Sequence, residues 1–130
     1  MKTLDSDHCI ALLRGHLDLQ KHIASDEELA VTAISVGELS HGAYKSERAA
    51  ENLARLDVLL SALVILPYEE EAAARCFGLL KAKLERAGMR VSDLDLQIAS
   101  IALVHDVPLV THNTKHFERV EGLCLEDWLE

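Results

Sequence analysis

Four short stretches of the chain set side chains where hydrolytic chemistry could be done. Leu4-Asp5-Ser6-Asp7 puts two carboxylates two residues apart, after a short apolar start and before a helix-like run. Ser35-Val36-Gly37-Glu38 and Ser92-Asp93-Leu94-Asp95 each place a hydroxyl three residues ahead of a carboxylate. Thr111-His112-Asn113-Thr114-Lys115-His116 follows the β-prone Pro108-Leu109-Val110. A carboxylate just after a strand can cap the next helix, attack a phosphorus, or hold a metal ion. Ser-x-x-Glu is also the signature of a capping box, in which the hydroxyl takes the N3 amide and the acid returns to the first one. Capping by Ser35 and Ser92 therefore explains Glu38 and Asp95 as well as a functional site does, and spacing alone does not decide.

The elements that must position these residues read as alternating strands and helices. Strands are expected over 2–4, 29–34, 64–66, 108–111 and 123–125. Helices are expected over 9–14 with a continuation through 17–23, then from 35, over 46–63, over 69–87 and over 92–104. Glu69, Glu70 and Glu71 open the clearest of these helices, and Lys81, Lys83 and Arg86 close it before Gly88. That order complements the helix dipole. Its buried stripe is read as Ala72, Cys76, Leu79, Leu80 and Leu84. The alternation predicts an α/β fold, a three-layer α/β/α domain around a central parallel sheet, with residues 1–130 as one domain.

In such sheets ligands sit beyond the carboxyl ends of the strands. Asp5, Asp7 and the 111–116 loop fall at such ends, and Ser35 to Glu38 lie just after another. Carboxylates gathered there repel one another unless a divalent cation neutralises them. Hard oxygen donors suit Mg²⁺ or Mn²⁺. Such an ion lowers the pKa of a bound water, sets it in line with a phosphorus and stabilises the leaving oxygen.

Composition narrows the classes. Thirteen basic residues against 22 acidic ones give a formal charge of −9, which argues against diffuse, charge-driven binding of nucleic acid. No apolar run approaches the roughly 18 residues of a membrane span, and the first fifteen residues lack the apolar core of a signal peptide. Cys9, Cys76 and Cys124 are odd in number, lie in apolar patterns and form no Cys-x-x-Cys. They are expected as reduced thiols in a cytoplasmic protein, with no structural zinc.

Longer stretches carry a family resemblance. LDSDHCIALLRG resembles the Leu-Asp-Thr-Asn strand and helix that open the PIN-domain ribonucleases of the VapC toxin type. AVTAISVGELSHGAYKS resembles their Ser/Thr-x-x-Glu-Leu-x-x-Gly segment. The stretch ILPYEEEAAARCFGLLKAKLERAGMRVSDLDLQIASIALVHDVPLVTHNTKHFERVEGL is similar to their second half, in the same order. The resemblance implies a PIN fold and an Mg²⁺- or Mn²⁺-dependent endoribonuclease. It carries the family's three principal acids onto Asp5, Glu38 and Asp95 as metal ligands, with Asn113 and Thr111 helping to place water or phosphate. It also implies an RNA substrate, commonly transfer RNA, a small VapB-type antitoxin as partner, and a homodimer.

The chain departs from the family pattern in two places. Asp7 stands where the family usually has Asn, and either reaches the metal through water or caps the first helix. His116 stands where related toxins often carry Asp or Glu; it suits Mn²⁺ better than Mg²⁺ and could instead meet a phosphate. Asp93 could supply a compensating charge, and Ser35 could both cap and line the site. Lys115 and Arg119 are the foremost candidates for phosphate contacts. Two other readings remain open. His116 would fit a PIN domain that binds RNA or antitoxin without cutting. Asp5-Ser6-Asp7 resembles the Asp-x-Asp of HAD-type phosphatases, although the later Lys and acidic pair of those enzymes have no counterpart.

Overall fold

The computed structural model describes residues 1–129; Glu130, the end of the LCLEDWLE segment, lies outside the described residues. The chain runs β1 (Lys2–Leu4), α1 (Ser6–Leu13), a 3₁₀ turn (Leu19–Lys21), β2 (Leu29–Thr32), α2 (Ala33–Lys45), α3 (Ala49–Ser61) and β3 (Val64–Leu66). It continues through α4 (Ala72–Arg86), α5 (Asp93–Val104), β4 (Leu109–Val110), α6 (Thr114–Phe117) and β5 (Leu125–Glu126). The five strands form one sheet in the order β3-β2-β1-β4-β5, and every pairing is parallel.

Strand alternation divides the core between the two faces. Leu4, Leu29, Val31 and Val110 face a cluster that takes in Cys9 of α1, Leu39 of α2, Leu56 of α3 and Trp128. Leu109 faces the opposite way, into Leu80 and Leu84 of α4, Leu96, Ile98, Ala99 and Ala102 of α5, and Phe117 of α6. Because both faces are covered, the strands read as near-continuous apolar runs. α5 is apolar on most sides because it is the most enclosed helix, with Ile98, Ala99, Ile101 and Ala102 fully buried.

The strand order fixes where a ligand can bind. From β1 the chain steps outward to β2 and β3, then returns to the other side of β1 with β4 and β5. The order reverses between β1 and β4, and their carboxyl ends border the crevice that such a reversal opens. Asp5 and Thr111 are the residues that follow β1 and β4.

Several expected boundaries move, each for a local reason. The first helix starts at Ser6 rather than near 9, because Asp5 caps it. It does not continue through 17–23: Gly15 adopts φ 71°, a left-handed conformation that ends it, and only the 3₁₀ turn follows. β2 ends at Thr32, whose side chain caps α2, so the helix begins two residues before Ser35. α3 begins at Ala49 and ends at Ser61, inside the expected 46–63, and α4 begins at Ala72, leaving Glu69 to Glu71 ahead of it. Two members of the expected stripe face solvent: Leu79 is 56 % exposed, and Ala72 is exposed with Ala73 buried in its place, beside Leu80 and Leu84. β4 covers only 109–110, and the last strand is 125–126 rather than 123–125. The 111–116 segment, expected as loop, turns into α6 from Thr114 onward.

Thr3 pairs in register with Ala30 on one side and Leu109 on the other. It is fully buried, and its hydroxyl has no hydrogen-bond partner among the described residues. A buried hydroxyl without a partner keeps its desolvation cost. Thr3→Val is expected to raise the unfolding free energy by about 1 kcal/mol, read as a higher urea midpoint at unchanged slope.

Candidate active site

Asp5 closes β1 and opens α1. Its backbone is extended (φ −72°, ψ 163°), and its Oδ1 accepts the Ser6 N–H at 2.8 Å, the geometry of an N-cap. The capping choice left open for Asp7 therefore falls to Asp5, and Asp7 lies in the first turn. The Asp5 N–H donates to the Val110 carbonyl at 2.9 Å, which ties the end of β1 to the end of β4. Across that seam the buried Thr111 hydroxyl donates to Asp5 Oδ2 at 2.7 Å. The Thr111 Oγ1 in turn accepts the Asn113 N–H at 3.1 Å. Both oxygens of Asp5 are thus held in place.

Asp7 fixes the loop after β4 from the other side. Its Oδ2 accepts the His112 N–H at 3.0 Å. Its Oδ1 is 2.7 Å from Nδ1 of His8, a fully buried residue. The Trp128 N–H donates to His8 Nε2 at 3.0 Å, so the ring proton sits on Nδ1 and points to Asp7. The carboxyl-terminal segment is therefore wired to the loop of Thr111 and His112 through one imidazole and one carboxylate. Asp127 adds a contact with His112 Nδ1 at 2.8 Å. Sequence reasoning sets His8 near the site without finding its partners, and it misses Ser6. A single His on an apolar helix face gives no signal of its partners, and Ser6 lies between two more conspicuous acids.

Glu38 is not part of a capping box. α2 is capped by Thr32, whose Oγ1 accepts the Ser35 N–H at 3.1 Å. Glu38 sits more than a turn inside the helix, where it has no amide to cap, and its Oε1 receives the Ser6 hydroxyl at 3.4 Å. Ser35 is fully buried with its hydroxyl 3.3 Å from Thr32 Oγ1, so it is not the N-cap the sequence suggested.

Asp95 does follow a capping serine. Ser92 Oγ accepts the Asp95 N–H at 3.2 Å. The return bond from the Asp95 carboxylate to the Ser92 amide is absent among the described residues. The Asp95 side chain instead lies 3.8 Å from His116 Nδ1, an atom also 3.0 Å from the Asn113 amide nitrogen. Asp93 is turned away, in an exposed ion pair with Lys81 at 3.0 Å. Arg119 donates to the Arg90 carbonyl, which commits it to holding a loop, whereas Lys115 is exposed.

The electrostatics of the acids show that they share one space. Burial pushes the Asp5 carboxyl above its ordinary value, and the charges of Asp7 and Asp95 add to the rise against the Thr111 hydrogen bond. Burial also raises Glu38, with Asp5 and Asp95 next among its causes. For Asp7 burial works upward too, but the bonds from His8 and His112 outweigh it and bring the carboxyl below its ordinary value. The buried Cys9 thiol is pushed up to about 12, by burial and then by Asp5 and Asp7, and is inert as a nucleophile. Among the described residues no Lys or Arg forms an ion pair with Asp5, Asp7, Glu38 or Asp95. Nor do any three acid, His or Cys groups among them converge closely enough to enclose an ion unaided. The acids lie between two grooves. One, of about 770 Å³, reaches Asp95, Asn113 and His116; the other, of about 390 Å³, reaches Ser6 and Glu38.

Two measurements check this geometry. His8→Phe keeps the ring and removes both nitrogens, leaving the Trp128 amide and Asp7 Oδ1 short of a partner. A loss of about 2–4 kcal/mol in unfolding free energy is expected, read by urea denaturation. The second concerns pH. A carboxyl whose folded pKa is raised contributes stability that is full below its unfolded value and lost as pH rises through the folded one. Asp5, raised from 3.8, therefore burdens the metal-free fold at neutral pH. Asp5→Asn is expected to raise the melting temperature in EDTA at pH 7 by a few degrees. That gain shrinks on acidification toward pH 4; a loss of stability at pH 7 would contradict it.

Comparison with known proteins agrees with this fold. The PIN domain family model matches residues 2–123. Ribonuclease VapC2 of Rickettsia felis is 33 % identical over 132 residues, covering 96 % of each chain. The tRNA(fMet)-specific endonuclease VapC of Shigella flexneri is 37 % identical over 127 residues, again covering 96 % of each. Among solved structures, VapBC2 from Rickettsia felis bound to a promoter DNA fragment superposes with a TM-score of 0.89 at 31 % identity, covering 98 % of both chains. With a parallel five-stranded sheet, acids at its switch point and relatives matched from end to end, the chain belongs to the PIN-domain family and, within it, to the VapC ribonucleases.

Proposed function

We propose that this chain is the toxin of a VapBC-type pair, an endoribonuclease that hydrolyses RNA phosphodiester bonds with the help of Mg²⁺ or Mn²⁺. The observation that carries the reading is the meeting of Asp5, Glu38 and Asp95, from three distant segments, at one sheet edge, with no Lys or Arg paired to them among the described residues. The donor set fits a hard divalent ion. All three ligands are carboxylate oxygens, two of them raised by burial and mutual repulsion, and Mg²⁺ commonly takes only one or two protein carboxylates and keeps waters. That habit agrees with acids that do not enclose an ion by themselves. When bound, the ion supplies Lewis acidity and an attacking water at neutral pH.

The chain's own contribution is orientation. Thr111 and the Ser6 amide hold the two oxygens of Asp5, and the Ser6 hydroxyl steadies Glu38. Asp95 stands on the first turn of α5, where its N–H is held by Ser92 Oγ. Asn113 and His116 stand beside Asp95 on the side where the larger groove opens, within reach of a phosphate placed on the acids. A nucleophilic role for Asp5, as in HAD-type phosphatases, lacks the later Lys and acidic pair that those enzymes use. Transfer RNA is the expected substrate class, on the strength of the relative named for tRNA(fMet). A VapB-type antitoxin is the expected partner, since the solved neighbours are VapBC assemblies. No helix among the described residues is long and apolar enough to cross a membrane; action in the cytoplasm is part of the proposal. A homodimer is part of the same proposal.

The test is cleavage of total cellular RNA by the purified chain in Mn²⁺, Mg²⁺ or EDTA, read by sequencing new 5′ ends. Metal-dependent cuts at a few sites are expected. Asp95→Asn is expected to lower cleavage by about a hundredfold or more while the circular dichroism spectrum and melting stay close to wild type. Binding of RNA without any cutting by metal-loaded wild type would favour the binding-only reading instead and point to His116 as the substituted ligand.

A further inference from the structure

The larger groove beside the acids is deeper than the chemistry of one phosphodiester requires. It runs from Asp95, Asn113 and His116 along the turn that joins α4 to α5, and has a volume of about 770 Å³. Leu84 and Leu96, both buried, form its apolar floor, and Met89 and Arg90 stand along its rim. Met89 is 44 % exposed, a large apolar side chain left in water beside a site that handles a polyanion.

The charges along this groove are not equivalent. Lys81 is committed to Asp93. The Arg90 side chain has no ion pair or hydrogen bond among the described residues, while its backbone carbonyl is anchored by Arg119. The loop is thus held in place by its main chain, and the guanidinium is left to meet a ligand. Arg119, a candidate for phosphate contact from sequence, acts instead on the segment that presents Arg90. A protein of net charge −9 must hold RNA by a few well-placed cations, and Arg90 is the uncommitted one lining this groove.

We infer that this groove is a subsite for one unpaired nucleotide of the RNA, next to the phosphate held at the acids. Its base lies against the apolar floor and Met89, and Arg90 meets its phosphate or stacks on the base. Three features select this occupant. The groove is continuous with the acid cluster at Asp95, so a strand whose phosphate sits on the acids can extend along it. Its volume falls within the range of about 300–1,000 Å³ typical of small-ligand pockets, enough for a nucleotide and too little for a duplex. Its apolar floor under a free guanidinium matches the way proteins take bases splayed out of single-stranded RNA. The inference rests on the ribonuclease reading above and deepens it, because the enzyme would select unpaired positions in a structured RNA.

The experiment measures binding and cleavage separately, on Arg90→Gln and Met89→Ala. Both side chains are exposed, and neither takes part in the fold's hydrogen bonds. Binding of fluorescein-labelled bulk deacylated transfer RNA is followed by anisotropy in Ca²⁺, with pentauridylate and a 12-base-pair RNA duplex as competitors. Cleavage of the same RNA and of bis(p-nitrophenyl) phosphate, which carries no nucleoside to seat in the groove, is followed in Mn²⁺. Arg90→Gln is expected to weaken RNA binding about tenfold and to flatten the slope of log affinity against log salt by about 0.7. Met89→Ala gives a smaller loss in the same direction. Both leave hydrolysis of the small diester unchanged, and pentauridylate competes where the duplex does not. RNA binding unchanged in both variants overturns the subsite and leaves the groove to a protein partner. A parallel fall of RNA and small-diester hydrolysis overturns it too, because the groove would then be propping up the acids. Wild type that binds RNA with the expected Arg90 dependence yet cuts neither substrate sinks the ribonuclease reading and leaves the subsite standing.

Discussion

The constraint on which this structure turns is the holding of like charges together where the protein gives them little water. Asp5 is buried at the end of β1, with Asp7, Glu38 and Asp95 near enough to act on its charge. At Asp5 and Glu38 such a cluster opposes folding, because burial and the neighbouring charges both act against the carboxylate. The protein offsets this with donors rather than with cations. The Ser6 amide and the Thr111 hydroxyl serve Asp5, the His112 amide and His8 serve Asp7, and Ser6 Oγ serves Glu38. Lys or Arg in those places would have neutralised the acids permanently. Donors of this kind leave the negative charge available to a ligand that arrives with positive charge.

The parallel sheet makes this arrangement possible. Its strand order reverses between β1 and β4, which brings Asp5 and Thr111 side by side although 106 positions separate them. The backbone bond from Asp5 N–H to the Val110 carbonyl sets the register at that point, so the 2.7 Å side-chain contact follows from main-chain geometry. α1, α2 and α5 then begin close to the sheet's carboxyl edge and carry Asp5, Glu38 and Asp95 there. The carboxyl-terminal segment closes the arrangement from outside: Trp128 is held by His8, stacks on His22 at 5.1 Å, and brings Asp127 onto His112.

Much of this was legible in the sequence because it depends on local signals. Alternating apolar runs gave the α/β class, and the acids after predicted strands fell at the ligand edge of the sheet. What sequence could not supply was the choice between rival local partners. Thr32 and Ser35 are both good N-caps, and only the length of β2 selects Thr32, which puts Ser35 in the core and frees Glu38 from any capping role. At Ser92 the pattern looked alike, and there the cap is real. Asp5 and Asp7 posed the same ambiguity, settled by where β1 ends. His8 was beyond reach because its two partners, Asp7 and the Trp128 amide, are joined only by the folded chain.

The substitution of Asp7 for the family's usual Asn gains a physical sense from this network. An Asn here would present one acceptor oxygen and one amide nitrogen. Asp7 accepts on both oxygens, from the His8 ring on one side and from the His112 amide on the other. A carboxylate satisfies both donors at once, which an amide does not do without leaving one of them unpaired. The extra charge raises Asp5 further, and the two strong bonds to Asp7 compensate by holding its own carboxyl below the ordinary value. The additional acid therefore serves two ends: it ties the carboxyl-terminal segment to the loop after β4, and it makes the pocket around Asp5 more negative. Under the metal-dependent reading proposed above, the charge of Asp7 adds one more repulsion around Asp5 for an arriving cation to relieve.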